Sequence, residues 1–437
     1  MESYFREFKK KTIGDLYLPQ KNNKGKKIIY ADWAASGRVY IDIENRLLSQ
    51  YAPFYSNTHS DGTYIGEFIN NEYLKAKEII KNHFKADDDY AVISTGHGMT
   101  SAMNKLQDII LEHNEKNNIK PIVFVTPFEH NSNYISWVEK KVECIILDFD
   151  ENGEVNLKSF YKLLEKNKDR LIIGSFSACS NVTGIRVNLD VLIEKIKEFE
   201  GITCVDYTTI APYDNIDLSN KNIDGLVFSS HKLLGGVGGP GVLIIKKSLY
   251  KRKKPTMVGG GVVKWVNSWG DIVYADDIEQ LEEAGTPPIL QTIRTSLAIQ
   301  LKDQMGVENI FEREKEINKI LFSNLSDIEN LQIYDVNLQN RLSIISFNIN
   351  EVEYNKVVKE LSENYGIQSR GGCCCSPIYG HSLLKIEKTV SKDIGRNIDK
   401  KVNVGWIRIS LNPIVSNKEV IFICNAIREI AYKYRNI

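Results

Sequence analysis

From about Ile28 to Ile245, short apolar runs bounded by polar residues alternate with segments whose apolar positions recur at helical spacing. Residues 27–31, 90–94, 122–126, 143–148, 171–175, 202–206, 225–228 and 242–246 predict strands. Each is a short apolar run between turn signals, the pattern of a buried strand. Residues 41–51, 71–84, 100–112, 157–166 and 189–199 predict helices between them. Such alternation builds an α/β fold around a largely parallel, helix-covered sheet. After Pro288 a long helical stretch, 289–305 and onward to 325, reads as a connector. Strands at 331–335, 342–349 and 406–411, with helices at 353–365 and 418–434, then predict a smaller α+β domain. The expected division is an N-terminal segment 1–26, a large domain 27–288 and a small domain 289–437.

Composition narrows the class. A chain of 437 residues exceeds what one hydrophobic core usually covers, which favours two domains. Hydrophobic residues at 42% and charged residues at 26% are ordinary for a soluble globular protein. With 56 basic and 56 acidic side chains, no global charge favours nucleic acid or an anionic membrane. The opening Met1-Glu2-Ser3-Tyr4-Phe5-Arg6 lacks a secretory apolar region, and no apolar run reaches the roughly 18 residues of a membrane span. The seven cysteines, three of them consecutive, are not spaced as a disulfide framework, so a cytoplasmic location is expected.

The chemistry concentrates at strand ends. Gly225-Leu226-Val227-Phe228 runs into Ser229-Ser230-His231-Lys232, and Gly235-Gly236-Val237-Gly238-Gly239-Pro240-Gly241 follows. A lysine at the end of a buried strand, among glycines, is open to desolvation, which lowers its pKa and frees its amine for Schiff-base chemistry. A surface lysine in a glycine-rich hairpin is the plainer alternative. Asp206 ends the preceding apolar run, Ile202-Thr203-Cys204-Val205. Ligands of open α/β sheets sit outside the carboxyl ends of the strands, and an acid and an amine there suit pyridoxal phosphate. Tyr90-Ala91-Val92-Ile93-Ser94, then Thr95-Gly96-His97-Gly98-Met99-Thr100, reads as strand, glycine turn and helix start. That arrangement either binds an anion through backbone N–H groups and the helix dipole or is a simple connection.

With these motifs in this order, from about Ile28 to the C-terminus, the chain resembles the class V aminotransferase family of fold-type I pyridoxal-phosphate enzymes, which includes cysteine desulfurases and selenocysteine lyases. The resemblance implies a mostly parallel seven-stranded sheet in the large domain. It implies that Lys232 is the Schiff-base lysine and that Asp206 pairs with the cofactor's ring nitrogen. His130, in Phe128-Glu129-His130-Asn131, matches the histidine that stacks on the ring, and Asn181, in Ser180-Asn181-Val182-Thr183-Gly184, matches an asparagine that approaches cofactor or substrate. Thr100, Ser229 and His231 match phosphate-binding positions. Thr286, in Glu283-Ala284-Gly285-Thr286-Pro287, resembles the threonine lent to a partner subunit's phosphate, which implies a homodimer. Ala34, with Ala35, matches the segment lining the substrate mouth, where Asn57 and His59 are also expected. Arg408, in Trp406-Ile407-Arg408-Ile409, matches the arginine that forks onto an amino-acid carboxylate.

Reaction type turns on Arg370-Gly371-Gly372-Cys373-Cys374-Cys375-Ser376. It resembles the arginine-x-glycine-x-x-cysteine motif of one desulfurase group, which places the nucleophile at Cys375 and a supporting cation at Arg370. The implied reaction removes sulfur from L-cysteine, leaving alanine and an enzyme persulfide that a sulfur-acceptor protein could collect. Three adjacent cysteines lack zinc spacing, so no metal is expected. The chain departs from the family at Thr209, where many relatives carry glutamine, at Tyr213, at His97, and in the long stretch between Cys375 and Arg408. A pyridoxal-phosphate C–S lyase or aminotransferase is the alternative reading, and a non-catalytic scaffold stands behind both.

Overall fold

The computed structural model describes residues 1–14, 16, 25–58, 60, 62–115, 120–396 and 404–435. Its centre is a seven-stranded sheet built from β2 (Tyr90–Thr95), β3 (Pro121–Val125), β4 (Glu143–Ile146), β5 (Leu171–Ser177), β6 (Ile202–Asp206), β7 (Gly225–Ser229) and β8 (Gly241–Lys246), in the order β2-β8-β7-β6-β5-β3-β4. All pairings are parallel except those of β8, which runs against β7 and β2. The continuous apolar runs are explained by burial: β7 is buried at every position, and β8 at all but its last. Helices cover both faces, so neither face can be polar. The reversed β8 follows from the glycine-rich turn, which returns the chain beside β7 and pairs Ser229 with Gly241.

A second sheet, β11 (Leu331–Ile333), β12 (Ile344–Ile349), β14 (Arg370–Gly372) and β15 (Trp406–Ser410), is antiparallel in the order β11-β12-β15-β14. The strand expected at 27–31 as part of the large domain packs elsewhere. As β1 (Ile29–Tyr30) it pairs in parallel with β13 (Ile367–Gln368), and Asp32 bridges to Ser410. Ile29 and Ala31 are buried with Ile367, Ile407 and Ile409 in the C-terminal core, which is the physical reason for that placement. The long helical stretch is two helices, Ile289–Met305 and Val307–Leu325, broken at Gly306 with φ 75°. Ile293, Leu297 and Met305 pack on the large core, whereas Ile317, Leu321 and Leu325 pack on the small one. The chain therefore crosses between cores within the second helix. At the N-terminus, helix Glu2–Lys10 buries Phe5 in the large core.

Alternation along β15 decides what the small domain offers the site. Ile407 and Ile409 are fully buried beneath the small domain's helices. Arg408 and Ser410 therefore point the other way, toward the large domain, because strand side chains alternate faces. There Ser410 Oγ accepts the Ala34 N–H at 2.9 Å. Ile407→Ala should cost about 2–5 kcal/mol through the cavity it leaves. The expected result is a lower urea midpoint with an unchanged denaturant slope.

Candidate active site

Parallel pairing of β6 with β7 sets Asp206 and the turn Ser230–Lys232 side by side at the carboxyl edge of the sheet. Both side chains line a cavity of about 180 Å³. Loss of hydration is the main cause that lowers the Lys232 amine to about 8. Asp206 opposes that shift, and the positive charge of Arg408 adds to it. Asp206 is itself buried, which raises its pKa against the opposing effects of Thr208 and Lys232. The Thr208 N–H donates to Asp206 Oδ1 at 2.9 Å and fixes its rotamer.

One end of the cavity is built at a helix N-terminus. Helix Gly98–Glu115 begins there, with Gly98 at φ 60°. A Cβ on Gly98 would stand 2.9 Å from Ser229 Oγ, and one on Gly241 would meet the Gly98 carbonyl at 2.0 Å. Glycine at both positions lets β2, β8 and the helix start close together. Ser229 Oγ accepts the Met99 N–H at 2.7 Å, and the Thr100 and Ser132 hydroxyls lie 2.7 Å apart. Hydroxyls at a helix N-terminus favour an anion through the helix dipole. His231 lines the same end, where burial and the neighbouring Lys232 lower its pKa.

The loop after β3 is held from below by Glu129, which is fully buried. Its carboxylate accepts Thr126 Oγ1–H at 2.7 Å, Ser177 N–H at 2.8 Å, Ser177 Oγ–H at 2.5 Å and Asn133 Nδ2–H at 2.6 Å. This ties the ends of β3 and β5 together and presents His130 to the cavity. His130 caps helix Asn131–Glu139, with Nδ1 accepting the Ser132 N–H at 3.1 Å. Burial first, then Lys232, Arg370 and Arg408, depress His130 to about 4. The ring is therefore neutral near pH 7, with its proton on Nε2 because Nδ1 is already an acceptor.

The small domain supplies the opposite wall. Arg408 is 2% exposed; its Nη1–H donates to the Asn181 carbonyl at 2.8 Å and its Nη2–H to Asp32 Oδ1 at 2.6 Å. Arg370 lies directly across the strand pair from Arg408. The cysteine loop follows β14. Cys374 and Cys375 take φ of 49° and 57°, a left-handed conformation that costs non-glycine residues about 1–3 kcal/mol each. Three bonds hold it: Asn181 Nδ2–H to the Cys374 carbonyl at 2.8 Å, Asn131 N–H to the Cys375 carbonyl at 2.8 Å, and Ser376 Oγ–H to Asn181 Oδ1 at 2.7 Å. Burial raises the pKa of Cys373 and of Cys374, whereas Cys375 is exposed and borders the cavity.

The cavity thus gathers Ala34, Thr100, His130, Asn181, Asp206, Ser229, His231, Lys232, Arg370, Cys375 and Arg408 from both domains. Asn57 and Thr286 are placed elsewhere, exposed and joined to each other by Asn57 Nδ2–H to Thr286 Oγ1 at 3.1 Å. His59 lies outside the described residues. Sequence reasoning gave no role to Asp32 or Ser132. Each lies two residues from a predicted site residue, Ala34 and His130 respectively, but only the fold shows what they face. Among the described residues no group of three or more His, Cys, Asp or Glu side chains could hold a metal ion. None of their helices is long and apolar enough to cross a membrane. A larger cavity of about 660 Å³ has Phe128 and Tyr207 in its lining. Among its charges, Arg186 pairs with Asp214 and Lys221 with Asp190. The smaller cavity is the one with a reactive amine, so chemistry rather than size selects it.

Comparison with known proteins agrees with this architecture. The profile of the class-V aminotransferase family matches residues 29–421, and the chain belongs to that family. A protein of Staphylococcus aureus named "Probable cysteine desulfurase" is 27% identical over 363 residues, 82% of this chain and 85% of that one. A protein of the same name from Staphylococcus epidermidis is 25% identical over 371 residues, 84% and 87% of the two chains. Among solved structures, the apo cysteine desulfurase from Thermococcus onnurineus superposes with a TM-score of 0.78 at 22% identity, covering 93% and 95% of the two chains. The cysteine desulfurase CsdA from Escherichia coli does so with a TM-score of 0.78 at 20% identity, covering 98% of each. The likeness shows that this chain has the fold-type I architecture of these structures.

The depressed Lys232 has a signed consequence for stability. Below about pH 8 both folded and unfolded chains carry its proton, and the folded state bears the cost of a buried charge. From about 8 toward the ordinary value of 10.5 only the unfolded chain holds that proton, so the cost disappears as pH rises. Lys232→Met should therefore raise the melting temperature of the cofactor-free protein below pH 8, with the advantage shrinking toward pH 10.5. Calorimetry across that range checks it.

Proposed function

We propose that the protein is a pyridoxal-phosphate-dependent cysteine desulfurase that converts L-cysteine to L-alanine and leaves the sulfur as a persulfide on Cys375. The observation that carries this reading is an exposed thiol, held on a strained and anchored loop, bordering the cavity that contains Lys232 and Asp206. The relatives named above support it.

The residues present fit the cofactor. Lys232 would attach it, Asp206 would face its ring nitrogen and neutral His130 its ring. Gly98 leaves room where a Cβ would crowd Ser229, so Thr100, Ser229 and His231 would receive the phosphate. Asn181 borders the same space. When bound, pyridoxal phosphate supplies the electron sink that makes bonds at the substrate's α-carbon labile. Arg408 orients the substrate through its carboxylate, with Ala34 at the mouth. Lys232, with its pKa near 8, can take and return a proton at Nζ close to neutral pH. The Cys375 thiolate then attacks the substrate sulfur. A sulfur–sulfur bond forms, the carbon–sulfur bond breaks, and its electron pair stays on carbon, which a proton completes to alanine. Cys375 is nucleophilic in kind, and its exposure leaves the persulfide open to a sulfur-acceptor protein or a small thiol.

We also infer a homodimer. Thr286 and Asn57 are exposed and stand off their own cavity, so Thr286 of the partner subunit would complete each phosphate site. The exposed apolar side chains Trp265, Val266 and Trp269 add a surface that a second copy would cover. Seven unpaired cysteines suit a reducing cytoplasm.

The test is anaerobic incubation of cofactor-loaded wild type and Cys375→Ala with L-cysteine and a reductant, measuring alanine, sulfide and pyruvate together. Alanine matched by sulfide, both falling at least about 100-fold in the variant, is expected for loss of a covalent nucleophile. Cys373→Ser should keep both products, since the Cys373 thiol points to the Val404 carbonyl at 3.2 Å. Pyruvate, or turnover indifferent to Cys375, would make the protein a C–S lyase instead.

A further inference from the structure

Register across β14 and β15 places Arg370 directly opposite Arg408. Like charges at opposed positions of neighbouring strands repel. One carboxylate lies between them: Asp32 Oδ1 accepts from Arg408 Nη2 at 2.6 Å, and Asp32 Oδ2 faces Arg370 Nη1 at 3.9 Å. Its backbone is fixed independently of that pair. Asp32 bridges to Ser410 of β15, its carbonyl accepts the Tyr30 hydroxyl at 3.0 Å, and the same carbonyl accepts the Ala35 N–H at 3.0 Å. The displaced β1 is what brings it there, since the chain leaves its pairing with β13 and meets β15 at Ser410.

We propose that Asp32 is a specificity-determining residue that reserves the arginine pair for one carboxylate. The proposal rests on the reading that Arg408 receives the substrate's carboxylate. Arg408 spends one Nη1 hydrogen on the Asn181 carbonyl and one Nη2 hydrogen on Asp32. A guanidinium carries two hydrogens on each terminal nitrogen, so one remains on each, the pair that grips a carboxylate bidentately. Asp32 thereby sets the plane of the fork.

Charge supplies the discrimination. The two arginines alone carry two positive charges and would suit a substrate with two carboxylates, one on each guanidinium. Asp32 brings the pair to a net charge of one, matched to a single α-carboxylate, and repels a second anion approaching Arg370, which is 41% exposed at the cavity. Selectivity of this kind comes from a repulsive element as much as an attractive one. An amino acid whose side chain is neutral, such as one ending in a thiol, is admitted; a dicarboxylic amino acid is turned away.

The experiment compares L-alanine, with one carboxylate, and L-aspartate, with two, as ligands of the cofactor-loaded protein, by calorimetry and by competition against cysteine turnover. The ratio of the two affinities is taken within each variant, so partial loss of folded protein cancels. Asp32→Asn should raise the aspartate-to-alanine ratio about tenfold or more, equivalent to about 1.4 kcal/mol. Asp32→Glu should keep the wild-type ratio within a few-fold, and the double variant Asp32→Asn with Arg370→Gln should lose the gain. A ratio unchanged in Asp32→Asn, or a gain that survives loss of Arg370, would overturn the proposal. If wild type binds neither amino acid, the carboxylate role of Arg408 fails and this inference falls with it. That failure differs from binding of both ligands by Asp32→Asn in the wild-type ratio, which refutes the role of Asp32 alone.

Discussion

An amine held away from water at the edge of a parallel sheet is the constraint on which this molecule is organised. Lys232 loses its hydration because β7 is buried along its length and the glycine turn folds β8 back beside it. Two glycines, Gly98 and Gly241, let the helix start and the hairpin approach closely enough to close the anion end. Among the described residues Asp206 is the one acid lining this cavity, and its charge keeps the amine from falling further. The same burial holds His130 neutral, so the cavity contains a mobile proton at Lys232 and an uncharged ring beside it.

The second organising element is Asn181. Its carbonyl accepts from Arg408, its amide N–H₂ donates to the Cys374 carbonyl, and its amide oxygen accepts from Ser376. One residue therefore positions Arg408 through its backbone carbonyl and the cysteine loop through its side-chain amide. The left-handed conformation of Cys374 and Cys375 is tolerable because that residue and Asn131 pin the carbonyls on either side. Strain held in place by neighbours is common at functional sites, since it fixes a side chain that would otherwise have several options.

Much of the fold was readable from pattern. The large sheet announces itself because strands buried on both faces are uninterrupted apolar runs, and glycine turns mark their ends. The run at 27–31 was readable as a strand but not as the partner of β13, since a short apolar run does not say which neighbour it pairs with. The hairpin of β9 (Val263–Val266) and β10 (Ile272–Tyr274) left no such signal, being largely exposed on both strands. β13 and β14 are too short, and β14 too glycine-rich, for periodicity to show. At the site, Lys232 and Asp206 could be singled out from their places at strand ends. Asp32 could not, because its meaning lies in a residue 376 positions away. Motif spacing pointed to Cys375 among three adjacent cysteines, but the exposure of that thiol depends on how the loop folds and was not legible in the sequence.

A depressed pKa alone does not identify the cofactor lysine. Burial lowers Lys302 to about 7, further than Lys232, yet its amine donates to the Ala211 and Asp214 carbonyls at 2.8 and 2.6 Å and lines neither cavity described above. Position in a cavity beside Asp206, and not low basicity as such, would make a lysine the attachment point. The most direct measurement is borohydride reduction of the protein loaded with pyridoxal phosphate, followed by peptide mapping of the fixed cofactor. A single modified site at Lys232 is the predicted result; modification at Lys302, at scattered surface lysines, or at none would contradict it.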